Sequence, residues 1–157
     1  MIKIKCMVVD KTRSPFLKDG ESFYLERLRR YAQVKWIEVK PVKIKKGRSD
    51  RSILDAEAQA IERRLEQSDF RVALDSTGEA YTSEGLASWL NRMAVHEPGW
   101  ATFIIGSPLG LSKDLIGSAK KVLSLSKFTL THEMSRLLLL EQLYRAMTIL
   151  KGEKYHK

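Results

Sequence analysis

At 157 residues, 43% hydrophobic and 30% charged, the chain is long enough for one domain with its own core and too short for two ordinary ones, and it is too apolar to stay disordered. Its longest apolar run, residues 137–140, excludes a membrane-spanning helix, its first residues carry no secretory h-region, and its single cysteine, Cys6, excludes an internal disulfide, so a cytoplasmic protein is expected. The formal charge of +9 is lopsided: residues 1–64 hold 17 Lys/Arg against 9 Asp/Glu, and residues 65–157 hold 11 against 10.

In chain order, residues 2–9 alternate like a strand, with Cys6 as a small buried residue. Residues 10–20, with Pro15 and Gly20, read as a loop. Residues 21–32 have helical spacing through Phe23, Leu25, Leu28 and Tyr31, and residues 34–39 form a second strand. A basic loop over 41–50 leads to a helix capped by Asp50 and running to about Gln67, with Ile53, Leu54, Ala58, Ile61 and Leu65 on one side. Residues 70–75 are a short strand closed by the turn signal Ser76-Thr77-Gly78. Thr82-Ser83-Glu84 opens a helix through Leu86, Trp89, Leu90 and Met93 that ends before Pro98-Gly99.

Residues 101–105 are a buried strand followed by Gly106-Ser107-Pro108-Leu109-Gly110. Ser112 caps a short helix over 113–119, and residues 122–125 are the last strand. Thr131 caps the final helix, from His132 to about Lys151, which Gly152 ends. Strands alternating with helices imply an α/β fold with a mainly parallel sheet and helices on both faces. In such sheets ligands bind beyond the carboxyl ends of the strands, here the loops after Leu74, over 106–110 and over 124–131. The middle loop fits neither the dinucleotide-binding nor the P-loop pattern. No His/Cys/Asp cluster has metal-ligand spacing, so no metal is expected. The positive excess gathers between Arg27 and Arg51, where Arg29, Arg30, Lys35, Lys40, Lys43, Lys45, Lys46 and Arg48 meet only Glu38 and Asp50. Such a patch attracts polyanions by counterion release, and RNA is favoured over a membrane because no aromatic amphipathic helix accompanies it. A solvated basic face with no partner is the alternative.

One ordered set of short motifs spans the second half: 74–78 (LDSTG), 83–87 (SEGLA), 103–106 (FIIG) with Gly110-Leu111, 123–127 (LSLSK), His132 with Arg136, 141–146 (EQLYRA), and the terminal Tyr155-His156-Lys157. Together they resemble the ribosomal RNA large subunit methyltransferase H family of the SPOUT class. The resemblance implies a single domain over 1–157, a trefoil knot in a donor-binding part from about residue 70 to 157, and a homodimer. It also implies S-adenosyl-L-methionine as methyl donor and N3 of a pseudouridine in 23S ribosomal RNA, within the ribosome, as acceptor.

By the same resemblance, Leu74, Gly106, Leu125, Ser126, Lys127, Phe128, Thr129 and Leu130 bind the donor, and Arg145, His156, Tyr155, His132 and Arg136 are the catalytic candidates. Taken alone, His132 reads as a capping or surface residue, Arg145 as half of a pair with Glu141, and the tail as frayed. Three positions depart from the family pattern: Ser107 replaces a second glycine, Thr131 a proline, and Asp10 a glycine. A ribosome-associated RNA-binding protein that has lost catalysis, and a methyltransferase for another RNA, are the alternative functions.

Overall fold

The computed structural model describes residues 1–43 and 45–156; Lys157, read with the tail, lies outside the described residues. Ten elements follow one another: β1 (Ile2–Val9), α1 (Pro15–Leu28), β2 (Ala32–Val39), α2 (Asp50–Glu62), β3 (Phe70–Ala80), α3 (Ser83–His96), β4 (Ala101–Ile105), α4 (Lys113–Ser118), β5 (Lys121–Ser124) and α5 (His132–Leu150). The strands form one five-stranded sheet in the order β2-β1-β4-β3-β5, and every pairing is parallel.

Burial on both faces explains the near-continuous apolar strands. Ile4, Cys6, Val8, Val72, Phe103 and Ile105 face a core completed by Leu28 of α1, Leu90 of α3 and Leu140 and Leu143 of α5. The alternate residues Met7, Val9, Ala73 and Ile104 face Ile61 of α2 and Leu115 of α4 on the other side. All five residues of β4 are buried. Each such side chain contributes about 1.5–3 kcal/mol on leaving water. Among the described residues no helix is long and apolar enough to cross a membrane.

The caps read from sequence are present at Ser112 and Thr131, whose hydroxyls accept from the Leu115 and Met134 amides, and Thr82, in the segment read as opening α3, caps it through the Gly85 amide. Four readings are corrected. The helix placed at 21–32 begins at Pro15, which supplies the φ of a first helical position without needing a donor. Gly20 therefore lies inside α1, where a Cβ would come within 2.8 Å of Leu137 Cδ1; it permits close contact with α5 rather than a turn. The α2 cap is Ser49, whose hydroxyl accepts from the Ser52 amide, and the helix stops at Glu62 instead of Gln67. Lastly, β3 does not end at Asp75. It shifts register between Leu74 and Glu79, and both of these residues pair with Leu123 of β5. At Gly78 a Cβ would lie 2.6 Å from the Val122 carbonyl carbon, so the glycine answers a close approach to β5, not a turn.

At the amino end of the sheet Lys5 is 1% exposed and donates to both carboxylate oxygens of Asp69, at 2.7 and 2.9 Å, and to Glu66 Oε1 at 3.1 Å. Removing one member of a buried pair strands the other charge. Asp69→Ala is expected to cost about 3–5 kcal/mol in urea-induced unfolding; a loss under 1 kcal/mol would mean that water compensates Lys5.

Candidate functional site

Because all five strands run the same way, their carboxyl ends gather at one edge of the sheet. There the segments after β1, β3, β4 and β5 and the first turn of α5 surround a cavity of about 790 Å³, within the usual range for small-molecule sites. Of the residues read as donor-binding, Leu74, Gly106, Leu125, Ser126, Phe128, Thr129 and Leu130 line it, and Lys127 does not. Further lining comes from residues that the reading did not name as site residues, among them Ser14, Asp75, Ser76, Ile105, Pro108, Glu133 and Ser135. The signal for most of them was only their nearness in sequence to the three loops.

The β4 loop is closed on itself. Ser107 and Gly110 pair as an antiparallel bridge, with the Gly110 amide donating to the Ser107 carbonyl at 2.8 Å. Gly110 takes φ +84°, and a Cβ on Gly106 would stand 2.1 Å from the Gly110 carbonyl oxygen. Both glycines are thus required, one by a left-handed backbone and the other by contact. The β5 loop is shaped by its serines: the Ser124 hydroxyl donates to the Ser126 carbonyl at 3.1 Å, and the Ser126 hydroxyl accepts from the Phe128 amide at 2.9 Å. Phe128 stands 83% exposed at the rim.

His132 also lines the cavity. Burial, reinforced by the Arg136 guanidinium, lowers its pKa below the ordinary imidazole value, so it is neutral at neutral pH. Its neighbour Glu133 accepts from the Arg13 and Ser14 amides, each at 3.0 Å, and so fastens the start of α5 to the loop after β1. These amide bonds lower the Glu133 pKa, that to Ser14 first. Arg136, one turn on from His132, does not line the cavity. It is fully buried and donates to Thr12 Oγ1 at 2.9 Å and to the Val9 carbonyl at 2.6 Å. Its charge holds β1 and α5 together, so this catalytic candidate is enclosed by the protein and does not face the cavity.

The departures from the family pattern are accommodated locally. Thr131 keeps φ −63°, a value proline would also take, and adds a capping hydroxyl. Asp10 has φ +68°, where glycine carries no penalty; its carboxylate accepts from the Lys11 amide at 2.8 Å and from Arg13 Nη2 at 2.9 Å. Aspartate is among the few side chains that tolerate this backbone.

Arg145, Tyr155 and His156 come together, but elsewhere. Arg145 donates through Nε and Nη2 to Glu141 Oε1, at 3.0 and 2.6 Å, which raises its pKa further. The Tyr155 hydroxyl donates to the same oxygen at 3.2 Å, and its ring meets Tyr144 edge-on at 4.8 Å. His156 bridges Arg145 Nη1, 3.4 Å from its Nδ1, and Glu84 Oε1, 2.7 Å from its Nε2. Burial pushes the Tyr155 phenol above its ordinary range. None of the three lines the cavity. Thirteen residues of α5 separate His132 from Arg145, about 20 Å along a helix. Glu141 was legible as the i,i+4 partner of Arg145; Glu84, 72 positions from His156, had no sequence signal.

The parallel sheet, the cavity at its strand ends and the closed glycine loop form a ligand site of the α/β type. A family model described as "Predicted SPOUT methyltransferase" matches residues 2–156. The chain is 37% identical to the ribosomal RNA large subunit methyltransferase H of Halothermothrix orenii, covering 99% of this chain and 100% of that one. It is 38% identical to the Symbiobacterium thermophilum protein of that name, with 99% and 100% coverage, and 39% identical to that of Gloeobacter violaceus, with 99% of each covered. The fold is also that of a probable methyltransferase from Bordetella pertussis Tohama I, with TM-score 0.59, 11% identity and coverage of 93% of this chain and 96% of that one. The chain belongs to the ribosomal RNA large subunit methyltransferase H family.

Gly106→Ala must displace the Gly110 carbonyl. The variant is expected to lower the melting temperature by several degrees, and an unchanged Tm would show that the loop yields freely.

Proposed function

We propose that this enzyme methylates N3 of a pseudouridine in 23S ribosomal RNA, with S-adenosyl-L-methionine as donor, in the cytoplasm and as a homodimer acting on the ribosome. The observation that carries the reading is the cavity of about 790 Å³ at the strand ends, built from closed loops. Its residues suit such a donor. Leu74, Ile105, Leu123, Leu125 and Leu130 offer apolar surface to a flat base, while loop amides and carbonyls offer hydrogen bonds to its edge. Among the described residues no group of His, Cys, Asp and Glu is placed to hold a metal ion, and methyl transfer requires none. On this reading the chain is a single domain, with a knotted part from about residue 70 onward.

The bound donor supplies an electrophilic methyl carbon on a sulfonium. The chain's part is to align the acceptor nitrogen with that carbon and to manage one proton. When bound, the donor would supply that methyl group to N3 and keep the bonding electron pair on its sulfur, and the N3 proton would have to leave. His132, neutral and lining the cavity, can receive that proton at a ring nitrogen. Arg145 offers a cationic donor to the charge that develops on the base, His156 a ring nitrogen for hydrogen bonding, and Tyr155 a ring on which a base can stack.

The span of about 20 Å along α5 between His132 and Arg145 supports completion of each site by the partner's tail. The exposed lysines and arginines between Arg29 and Arg51 supply the charge to hold ribosomal RNA.

Isothermal titration calorimetry with S-adenosyl-L-methionine checks the donor, and expected binding is stoichiometric with the subunit; a folded dimer that binds none at millimolar donor would sink the proposal. Mass mapping of the 23S segment in a deletion strain checks the target. Loss of one methyl group supports it, whereas an unchanged mass favours an RNA-binding protein without catalysis or an enzyme for another RNA.

Deleting residues 155–157 should leave thermal unfolding nearly unchanged, because they follow the end of α5, and abolish turnover. Arg145→Ala should reduce kcat on the order of a hundredfold. Full single-turnover rates from either variant would remove the tail cluster from the reaction.

A further inference from the structure

Ser107 does more than replace a glycine. It immediately follows Gly106 at the end of β4 and lines the cavity. Its hydroxyl donates to Glu57 Oε2 at 2.8 Å and accepts from the Leu109 amide at 3.3 Å, inside the loop it begins. Glu57 lies on α2, against the opposite face of the sheet from α1, α3 and α5, and is 7% exposed. Among the described residues, the Ser107 hydroxyl is the one side-chain hydrogen-bond partner of this buried carboxylate, and no other side-chain hydrogen bond ties α2 to the β4 loop. Burial raises the Glu57 pKa and the Ser107 hydrogen bond opposes that rise, so the contact favours the charged carboxylate.

A carboxylate so placed constrains the loop strongly. A hydrogen bond to a charged acceptor is roughly twice as strong as one between neutral groups, and a buried acceptor left without its donor is costly. The loop that moves with Ser107 contains the Gly106–Gly110 contact and the backbone facing the cavity. We propose that Glu57 is a positioning residue for methyl-donor binding: through the Ser107 hydroxyl it holds the β4 loop in its donor-ready conformation. It sets the donor's dissociation constant and leaves the chemical step to other groups. This inference rests on the cavity being the donor site. It further assigns Ser107 a contribution that glycine at this position could make only through its backbone.

The test compares wild type with Ser107→Ala, Glu57→Gln and the double variant, each first shown by circular dichroism and thermal unfolding to be folded. S-adenosyl-L-methionine binding is measured by calorimetry, and donor KM and kcat with ribosomal substrate. Ser107→Ala is expected to weaken donor binding and raise donor KM on the order of tenfold, with kcat at saturating donor within about twofold. Glu57→Gln keeps an acceptor at the same place and should retain most of the affinity. In the double variant an unpartnered amide replaces an unpartnered carboxylate, so part of the loss should be recovered, giving a non-zero coupling in the cycle. A merely structural role would lower Tm without splitting KM from kcat.

Wild-type donor affinity in Ser107→Ala would overturn the proposal alone, as would a loss confined to kcat or a Glu57→Gln variant as impaired as Ser107→Ala. Absence of donor binding by the folded wild type would overturn the donor-site reading and this proposal with it.

Discussion

The architecture turns on a guanidinium buried where β1, α1 and α5 meet. Arg136 cannot shed its charge in a protein, so its surroundings must supply acceptors. The Val9 carbonyl and the Thr12 hydroxyl do so directly, and Thr12 in turn donates to Glu21 of α1. Glu21 feels two opposed influences: burial raises its pKa, while the Thr12 hydrogen bond and Arg136 lower it. The guanidinium stays in the interior because three elements contribute to its neutralisation. Among the described residues its Nε is the one buried side-chain nitrogen or oxygen without a partner.

The cavity depends on that junction. Arg136 fixes the first turns of α5 against the end of β1, and Glu133 adds two bonds to the Arg13 and Ser14 amides. The loop between β5 and α5 is thereby held at both ends, by the sheet at Ser124 and by the capped helix at Thr131. The same Arg136 charge favours neutral His132 one turn earlier. One buried cation thus serves the fold and the electrostatics of the cavity wall, and that double duty places it within the protein rather than on the substrate side.

The second cluster has a different balance. Glu141 gathers Arg145 and Tyr155 on one carboxylate oxygen, and Glu84 holds His156. These are partly exposed pairs, of the kind that contribute little to stability. Their weakness suits a tail proposed to exchange these partners for an RNA base. The strong interactions of the molecule lie at the sheet and at Arg136, and the weak ones lie where substrate is proposed to bind.

The sequence by itself determined the order of elements, the caps at Ser112 and Thr131, and the three loops at the strand ends, because periodicity, capping and turn chemistry act over a few residues. It also carried the motif set on which family membership was legible. Among its misreadings were two glycines: Gly20, read into a loop, and Gly78, read as a turn signal, are instead points of close approach to Leu137 and to the β5 backbone, contacts that exist only after folding. Tertiary structure alone decided that Arg136 is buried, that Ser107 meets Glu57, that His156 meets Glu84, and that the tail stands apart from its own cavity. Each of these joins residues from 11 to 127 positions apart, as Arg145 joins His156 and Arg136 joins Val9. Such contacts follow from how the helices pack across the sheet, and no local pattern records that packing.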